Sequence, residues 1–294
     1  MIIFSQSPTE HSRLGNSIVW MTKAAYIAKQ LGWQVAFPWA SENFVAYLAP
    51  NSYWLEAIKQ ARDSYLDKFD VPLTAASISR QSRKYEALFE ADNQLPAFGW
   101  ERAVYSDESN SVLYLRGKID ITSEKVLSLV ESHALTIIHE PFELMYLENL
   151  SLIGEDYASV IPKKRLFNAQ AKHVAEIAAG RPTVGMHIRR GDYSRWQGGS
   201  YYYDDDFWCT NAARFVASGK SVWVFSNELS DELKARLLSH ATNIPDEDFN
   251  HHFVRMMFMG KIFGPPSTFS STAANVAKKV FGLKCDFIYL PKTQ

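Results

Sequence analysis

The second half of the chain alternates between two hydrophobic patterns. Short, nearly continuous apolar runs occur at 183–189 (TVGMHIR), 221–226 (SVWVFS), 261–264 (KIFG) and 285–290 (CDFIYL). Runs of four to seven such residues are the signature of strands buried on both faces. Between them, apolar positions recur at helical spacing over 165–179, 206–218, 230–239 and 268–281. In the last of these Phe269, Ala273, Val276, Ala277 and Val280 share a face. Gly180 with Pro182, and Gly219, supply stops for the first two. Strands separated by helices of this length predict a doubly wound parallel sheet.

The first half is legible only at its ends. Ile2–Phe4 reads as a strand, 13–32 as a helix with Ile18, Met21, Ala25 and Ala28 on one stripe, and 33–37 as the next strand. Lys29 and Gly32 would end that helix. Strands are predicted at 111–117 and 135–140 with a helix at 123–131 between them, and helices near 53–67 and 79–90. A Gly, a Pro and a change in charge within 151–165 mark a boundary, giving domains 1–158 and 159–294. The expected class is α/β.

Composition narrows the partners. Hydrophobic residues make up 47% and charged residues 21%, which suits a packed core, and a formal charge of −1 argues against a surface built for nucleic acid or anionic lipid. A polyanion site must be local, and 163–195 is where cations concentrate: Lys163, Lys164, Arg165, Lys172, Arg181, Arg189, Arg190 and Arg195 face only Glu176 and Asp192. Cys209 and Cys285 have neither metal-ligand spacing nor a disulfide framework around them, which fits a reducing compartment. With no signal-like start and no apolar stretch near the ~20 residues of a membrane span, the expectation is a cytoplasmic protein, with attachment to the inner membrane face left open. Homo-oligomerisation is open too.

In a doubly wound sheet the segments Arg189–Asp192, Ser226–Glu228 and Gly264–Ser270 all follow the carboxyl ends of strands and should share a crevice. Arginine offers a planar, permanently charged fork matched to phosphate oxygens. The plainer alternative pairs one arginine with Asp192 and leaves the other to water. At 264–272 (GPPSTFSST) a helix start presents free backbone N–H groups that attract phosphate, although Ser267 or Thr268 could simply cap it. Asp204 and Asp206 form an Asp-x-Asp pair, but just ahead of a helix such acids serve its N-terminus at least as well.

Taken in order, these segments resemble glycosyltransferase family 11, the bacterial α-1,2-fucosyltransferase-like family, within the wider fucosyltransferase group. HIRRGDY (187–193) matches the family's His-x-Arg-Arg-x-Asp-Tyr, and YYYDDDFWCTNAARFV (201–216) is similar to its Tyr-Tyr-x-x-Ala segment. VFSNE (224–228) stands where the family has Phe-Ser followed by acids. PSTFSSTAA (266–274) resembles its Asn-Ser-Thr-Phe-Ser-x-x-Ala-Ala, and SRLGNS (12–17) its first glycine-turned loop.

The resemblance implies a GT-B-like fold of two facing Rossmann-like domains with parallel sheets, the C-terminal one holding a GDP-sugar, GDP-fucose foremost. It implies inverting, metal-independent transfer to a glycan acceptor, with no cofactor. Carried over by position, Arg189, Asp192 and Asn16 become the catalytic candidates. His187, Arg189, Arg190, Ser226, Asn227, Glu228, Ser267, Thr268, Phe269, Ser270 and Gly15 become the donor-binding ones. The departures are Ser17 for the family's Gln, Gly260 and Lys261 where an acid is common, and no carboxylate in 193–203. They leave Asp192, or Glu140 from the first domain, as general base. They also keep two other readings open: a non-catalytic nucleotide-binding descendant, and a metal-dependent transferase using Asp204 and Asp206.

Overall fold

The computed structural model describes residues 2–6, 15, 18–19, 32, 34–36, 103–107, 112–116, 124–139, 162–245 and 248–293. The chain divides into two units, Met1–Val160 and Ile161–Gln294. In the first, strands β1 (Ile2–Gln6), β2 (Gln34–Ala36), β3 (Ala103–Asp107), β4 (Val112–Arg116) and β5 (Leu135–His139) form a sheet of order β2-β1-β5-β4-β3. Helix α1 (Glu124–Glu131) lies between β4 and β5 in sequence. Strands β1, β2, β4 and β5 are parallel, whereas β3 runs antiparallel to β4. Leu113, Val130 and Ile18 are fully buried.

Antiparallel β3 is an edge strand added to the parallel first sheet that the sequence led us to expect. Its sequence, AVYSD, has two strong strand formers in five residues and sits in an aromatic-rich stretch without period, so no strand was expected there. An antiparallel edge strand on an otherwise parallel sheet is a common variant. The helices expected near 53–67 and 79–90 lie outside the described residues. Of the one expected over 13–32, Gly15, Ile18 and Val19 are helical and buried.

The second unit follows the sequence pattern closely. Its elements are α2 (Lys164–Ala178), β6 (Thr183–Ile188), α3 (Asp205–Ala217), β7 (Ser221–Ser226), α4 (Asp231–Ser239), α5 (Phe249–Met256), β8 (Lys261–Gly264), α6 (Thr268–Phe281) and β9 (Asp286–Tyr289). The sheet order is β7-β6-β8-β9 and every pair is parallel. Residues 184–188 and 221–225 are all buried, which is why those strands read as unbroken apolar runs. One layer of core joins the sheet to α3 and α4 through Met186, Ile188, Trp208, Cys209, Val222, Val224, Leu233 and Leu237. Trp208 and Phe225 are among the largest fully buried side chains, each contributing roughly 2–3 kcal/mol of apolar burial. Helix α5 had no counterpart in the sequence reading. Six of its eight residues are buried, including the polar Asn250, His252 and Arg255, and eight residues are too few for a period to stand out in the sequence.

Candidate active site

The strand order fixes where a ligand crevice belongs. From β6 the chain crosses to β7 on one side, then returns to β8 on the other, so the order reverses between β6 and β8. The loops leaving the carboxyl ends of two such strands diverge there and leave room for a ligand. One of these loops begins with Arg189 and Arg190, and the other runs through Pro265, Pro266 and Ser267 into α6.

Specific contacts tie the three expected loops together. The backbone N–H of Arg190 donates to Asn227 Oδ1 at 3.2 Å, linking the β6 and β7 loops. Tyr193 Oη donates to the carbonyl of Pro266, linking the β6 and β8 loops. Below the loops, His187 Nδ1 and Ser270 Oγ lie 2.9 Å apart, both buried, so β6 is fastened to the first turn of α6. Two glycines permit this closeness. Gly191 has φ +60°, and a Cβ there would also stand 3.3 Å from Glu228 Oε2. At Gly264 a Cβ would fall 2.8 Å from the His187 carbonyl oxygen, closer than real contacts allow.

The two arginines have separate surroundings. Arg189 is 7% exposed, and its Nη2 donates to both oxygens of Asp192 at 2.9 and 3.1 Å. The guanidinium lies over the Tyr193 ring, 4.6 Å from its centroid. Its Nε is buried with no hydrogen-bond partner among the described residues. Leaving such a donor unmatched costs about 1–3 kcal/mol, a penalty that an incoming anion would remove. Arg190 is equally buried, but Nη1 donates to the Tyr203 carbonyl and Nη2 to Asp205 Oδ1, while the guanidinium rests over Tyr202 at 4.8 Å. Arg190, expected with Arg189 to bind the donor, braces the loop against the start of α3 in this structure.

The start of α6 complements Arg189. Ser267 occupies the N-cap position in extended conformation without a side-chain capping bond, and the first turn holds no acid. Neither serine nor threonine thus serves as the simple cap that the sequence allowed. The positive end of a 14-residue helix is left to backbone N–H groups. Tyr193 connects the two features, with its ring under the Arg189 guanidinium and its hydroxyl on the residue before Ser267.

Ser226 Oγ donates to the Glu228 carbonyl and accepts from its N–H, closing a local turn. Phe269 is 7% exposed and packs on His187, Phe249 and Phe253, so it supports the helix start from the core side. Thr268 opens α6 and is half-buried. Gly15 is buried in a helical segment of the first unit, whereas Asn16 and Glu140 lie outside the described residues.

The three acids at 204–206 serve three separate ends: Asp204 caps α3 through Phe207 N at 2.7 Å, Asp205 holds Arg190, and Asp206 pairs with Arg236. The metal reading from Asp204 and Asp206 therefore meets side chains already engaged with the protein. Among the described residues no group of three or more His, Cys, Asp or Glu is placed to hold a metal ion. No described helix is long and apolar enough to cross a membrane.

Tyr193, Tyr203 and Asp205 were missed as site residues. Tyr193 closes the His-x-Arg-Arg-x-Asp-Tyr motif, and that position was the available signal. The contacts of Tyr203 and Asp205 depend on a loop of two 3-10 turns, Gly191–Ser194 and Trp196–Gly199, that no periodicity reveals. That loop is held at its far end by Thr293 N donating to the Ser200 carbonyl at 2.6 Å and by Tyr203 Oη donating to the Pro291 carbonyl.

Comparison with solved structures adds one finding. POFUT1 in complex with GDP-fucose matches at a TM-score of 0.58 and 12% identity, covering 98% of both chains. POFUT1 in complex with GDP matches at 0.60 and 13%, again over 98% of both. NodZ alpha-1,6-fucosyltransferase soaked with GDP-fucose matches at 0.53 and 12%, over 94% of this chain and 92% of the other. The fold is fucosyltransferase-like. No protein-family model matches the sequence, nor does any curated protein.

Proposed function

We propose that the chain is a glycosyltransferase of the family 11, α-1,2-fucosyltransferase-like type, moving fucose or a related sugar from its GDP-sugar to a glycan acceptor. The observation that carries this reading is the pairing of a buried guanidinium, with its Nε unmatched, and an uncapped, acid-free helix start at the sheet's switch point. Each feature alone has a structural use, but joined through Tyr193 they make an anion site with donors on two sides. That solved structures of this fold hold GDP and GDP-fucose supports a nucleoside diphosphate as the anion.

The chemistry asks for what this site offers. As the bond from the anomeric carbon to the β-phosphate oxygen breaks, its electron pair moves onto the departing GDP and the sugar takes on oxocarbenium character. Arg189 and the N–H groups of α6 stabilise that growing negative charge, and losing one such donor typically costs ~10²- to 10³-fold in rate. The acceptor hydroxyl forms the new bond from the opposite face, giving inversion, and passes its proton to Asp192. Metal ions have no assigned place in this scheme. Arg190 keeps the loop in position from behind.

A thermal-shift panel of GDP, UDP, ADP and their sugars, followed by a transfer assay with and without EDTA, tests the proposal. GDP should raise the melting temperature more than UDP or ADP does, and EDTA should leave transfer unchanged. A shift given only by another nucleotide would overturn the donor assignment. Absence of both donor hydrolysis and transfer, despite GDP binding, would favour the non-catalytic reading.

A further inference from the structure

We propose that Asp192 is a displaceable counter-ion: it holds the anion site of Arg189 until the donor diphosphate arrives, and is released as a free carboxylate when the diphosphate takes its place. The inference rests on the function proposed above and concerns the order of events at that site.

Three observations carry it. The first is the asymmetry of the pair: the Arg189 side chain is 7% exposed and that of Asp192 is 59% exposed, so the cation is fixed in the protein and the anion stands at the water side. The exchangeable partner is therefore the carboxylate. The second is the mode of contact. Both Asp192 oxygens share the single nitrogen Nη2. The strongest carboxylate and phosphate complexes of arginine use two parallel N–H groups instead. Nε and Nη2 lie on one edge of the guanidinium plane, and Nε has no partner among the described residues. Asp192 thus uses one corner of an edge that a phosphate oxygen pair would fill completely. The third is placement. Asp192 belongs to the exposed 3-10 turn after Gly191, where a side chain can rotate away without disturbing the strand.

The exchange has a mechanistic consequence. While paired with Arg189, both carboxylate oxygens are engaged by its Nη2. Once a diphosphate satisfies Arg189, Asp192 is released from the guanidinium, and only then is its carboxylate free to turn to the acceptor's face of the sugar and take the proton. Donor binding and base activation become one event, and acceptor would react only on a chain that already carries donor.

The sign of the test separates this role from an ordinary one. Full-length wild type, Asp192→Asn and Asp192→Ser are titrated by calorimetry with GDP and with inorganic pyrophosphate. Removing the competing charge should tighten both ligands by about three- to tenfold in both variants, the scale of a part-exposed ion pair. In transfer assays the same variants should show a lower donor KM together with a much lower kcat. Loss of a merely structural contact would loosen the loop and weaken both ligands, so tightening in both variants points to competition between Asp192 and the ligand for Arg189. If wild type binds GDP and both variants bind it equally or more weakly, the inference is overturned while the proposed function stands. If wild type binds neither ligand, the proposed function fails and the inference with it.

Discussion

Helices α3 and α6 begin alike, after a loop in the same unit, yet their first turns are chemical opposites. At α3 the protein supplies its own anions: Asp204 accepts from Phe207 N, while Asp205 and Asp206 occupy the first turn and hold Arg190 and Arg236. At α6 the chain supplies none, since Ser267 makes no capping bond and no acid follows. Helix α2 also starts uncapped, on the exposed cations Lys163, Lys164 and Arg165, but the buried guanidinium bonded to it, that of Arg255, meets Gln170 in mid-helix and not at the start. A helix start closed by its own carboxylates is finished structure, whereas one left open and tied through Tyr193 to a half-satisfied arginine fits the anion site proposed above.

Converting the open start into a closed one should have the largest effect. Ser267→Asp gives α6 the cap that α3 has, and should raise stability by about 1 kcal/mol in urea unfolding while weakening GDP by about a hundredfold. A variant that is more stable and still binds GDP would erase the contrast. Undoing the closed start comes next. Arg190→Ala leaves Asp205 and the Tyr203 carbonyl without their partner and should cost about 2–3 kcal/mol in the same unfolding experiment. Asp204→Ala should cost about 1 kcal/mol and leave GDP affinity unchanged, because the capping it removes lies at the wrong helix.

The smallest effect is read at Cys209, within α3. Burial is the main cause pushing its thiol above the ordinary range, Arg236 pulls it down, and Asp205 and Asp206 push it up. Asp206→Asn removes one upward push and frees Arg236, so both changes lower the thiol's pKa. More thiolate forms at a given pH, and iodoacetamide labelling at pH 8 should quicken by about two- to fivefold. Cys285, which burial pushes up to about 12, should resist labelling in both proteins.

How much of this the sequence disclosed depended on what each residue answers to. Strands β7 and β8 and helix α6 lie where the apolar pattern put them, because core-facing residues in a buried parallel sheet have few other choices. Helix α5 escaped because eight residues give too short a window for its period, and its polar Asn250, His252 and Arg255 are buried against expectation. The three loops were readable as neighbours once the parallel order was granted. The division of labour between Arg189 and Arg190 was not: two adjacent arginines look identical in sequence. Their fates are set by Tyr203 and Asp205, reached through 3-10 turns in which Gln197 and Gly198 adopt positive φ. Irregular backbone carries no period, so its contacts cannot be anticipated.

On the proposed reading, Arg189 and the start of α6 together hold one diphosphate. Calorimetric titration of GDP into wild type and Arg189→Ala, with no metal added, tests it most directly. Measurable binding to the first and a loss of at least about a hundredfold in the second are expected, with little change in melting temperature without ligand. Equal affinity in the two proteins would contradict it.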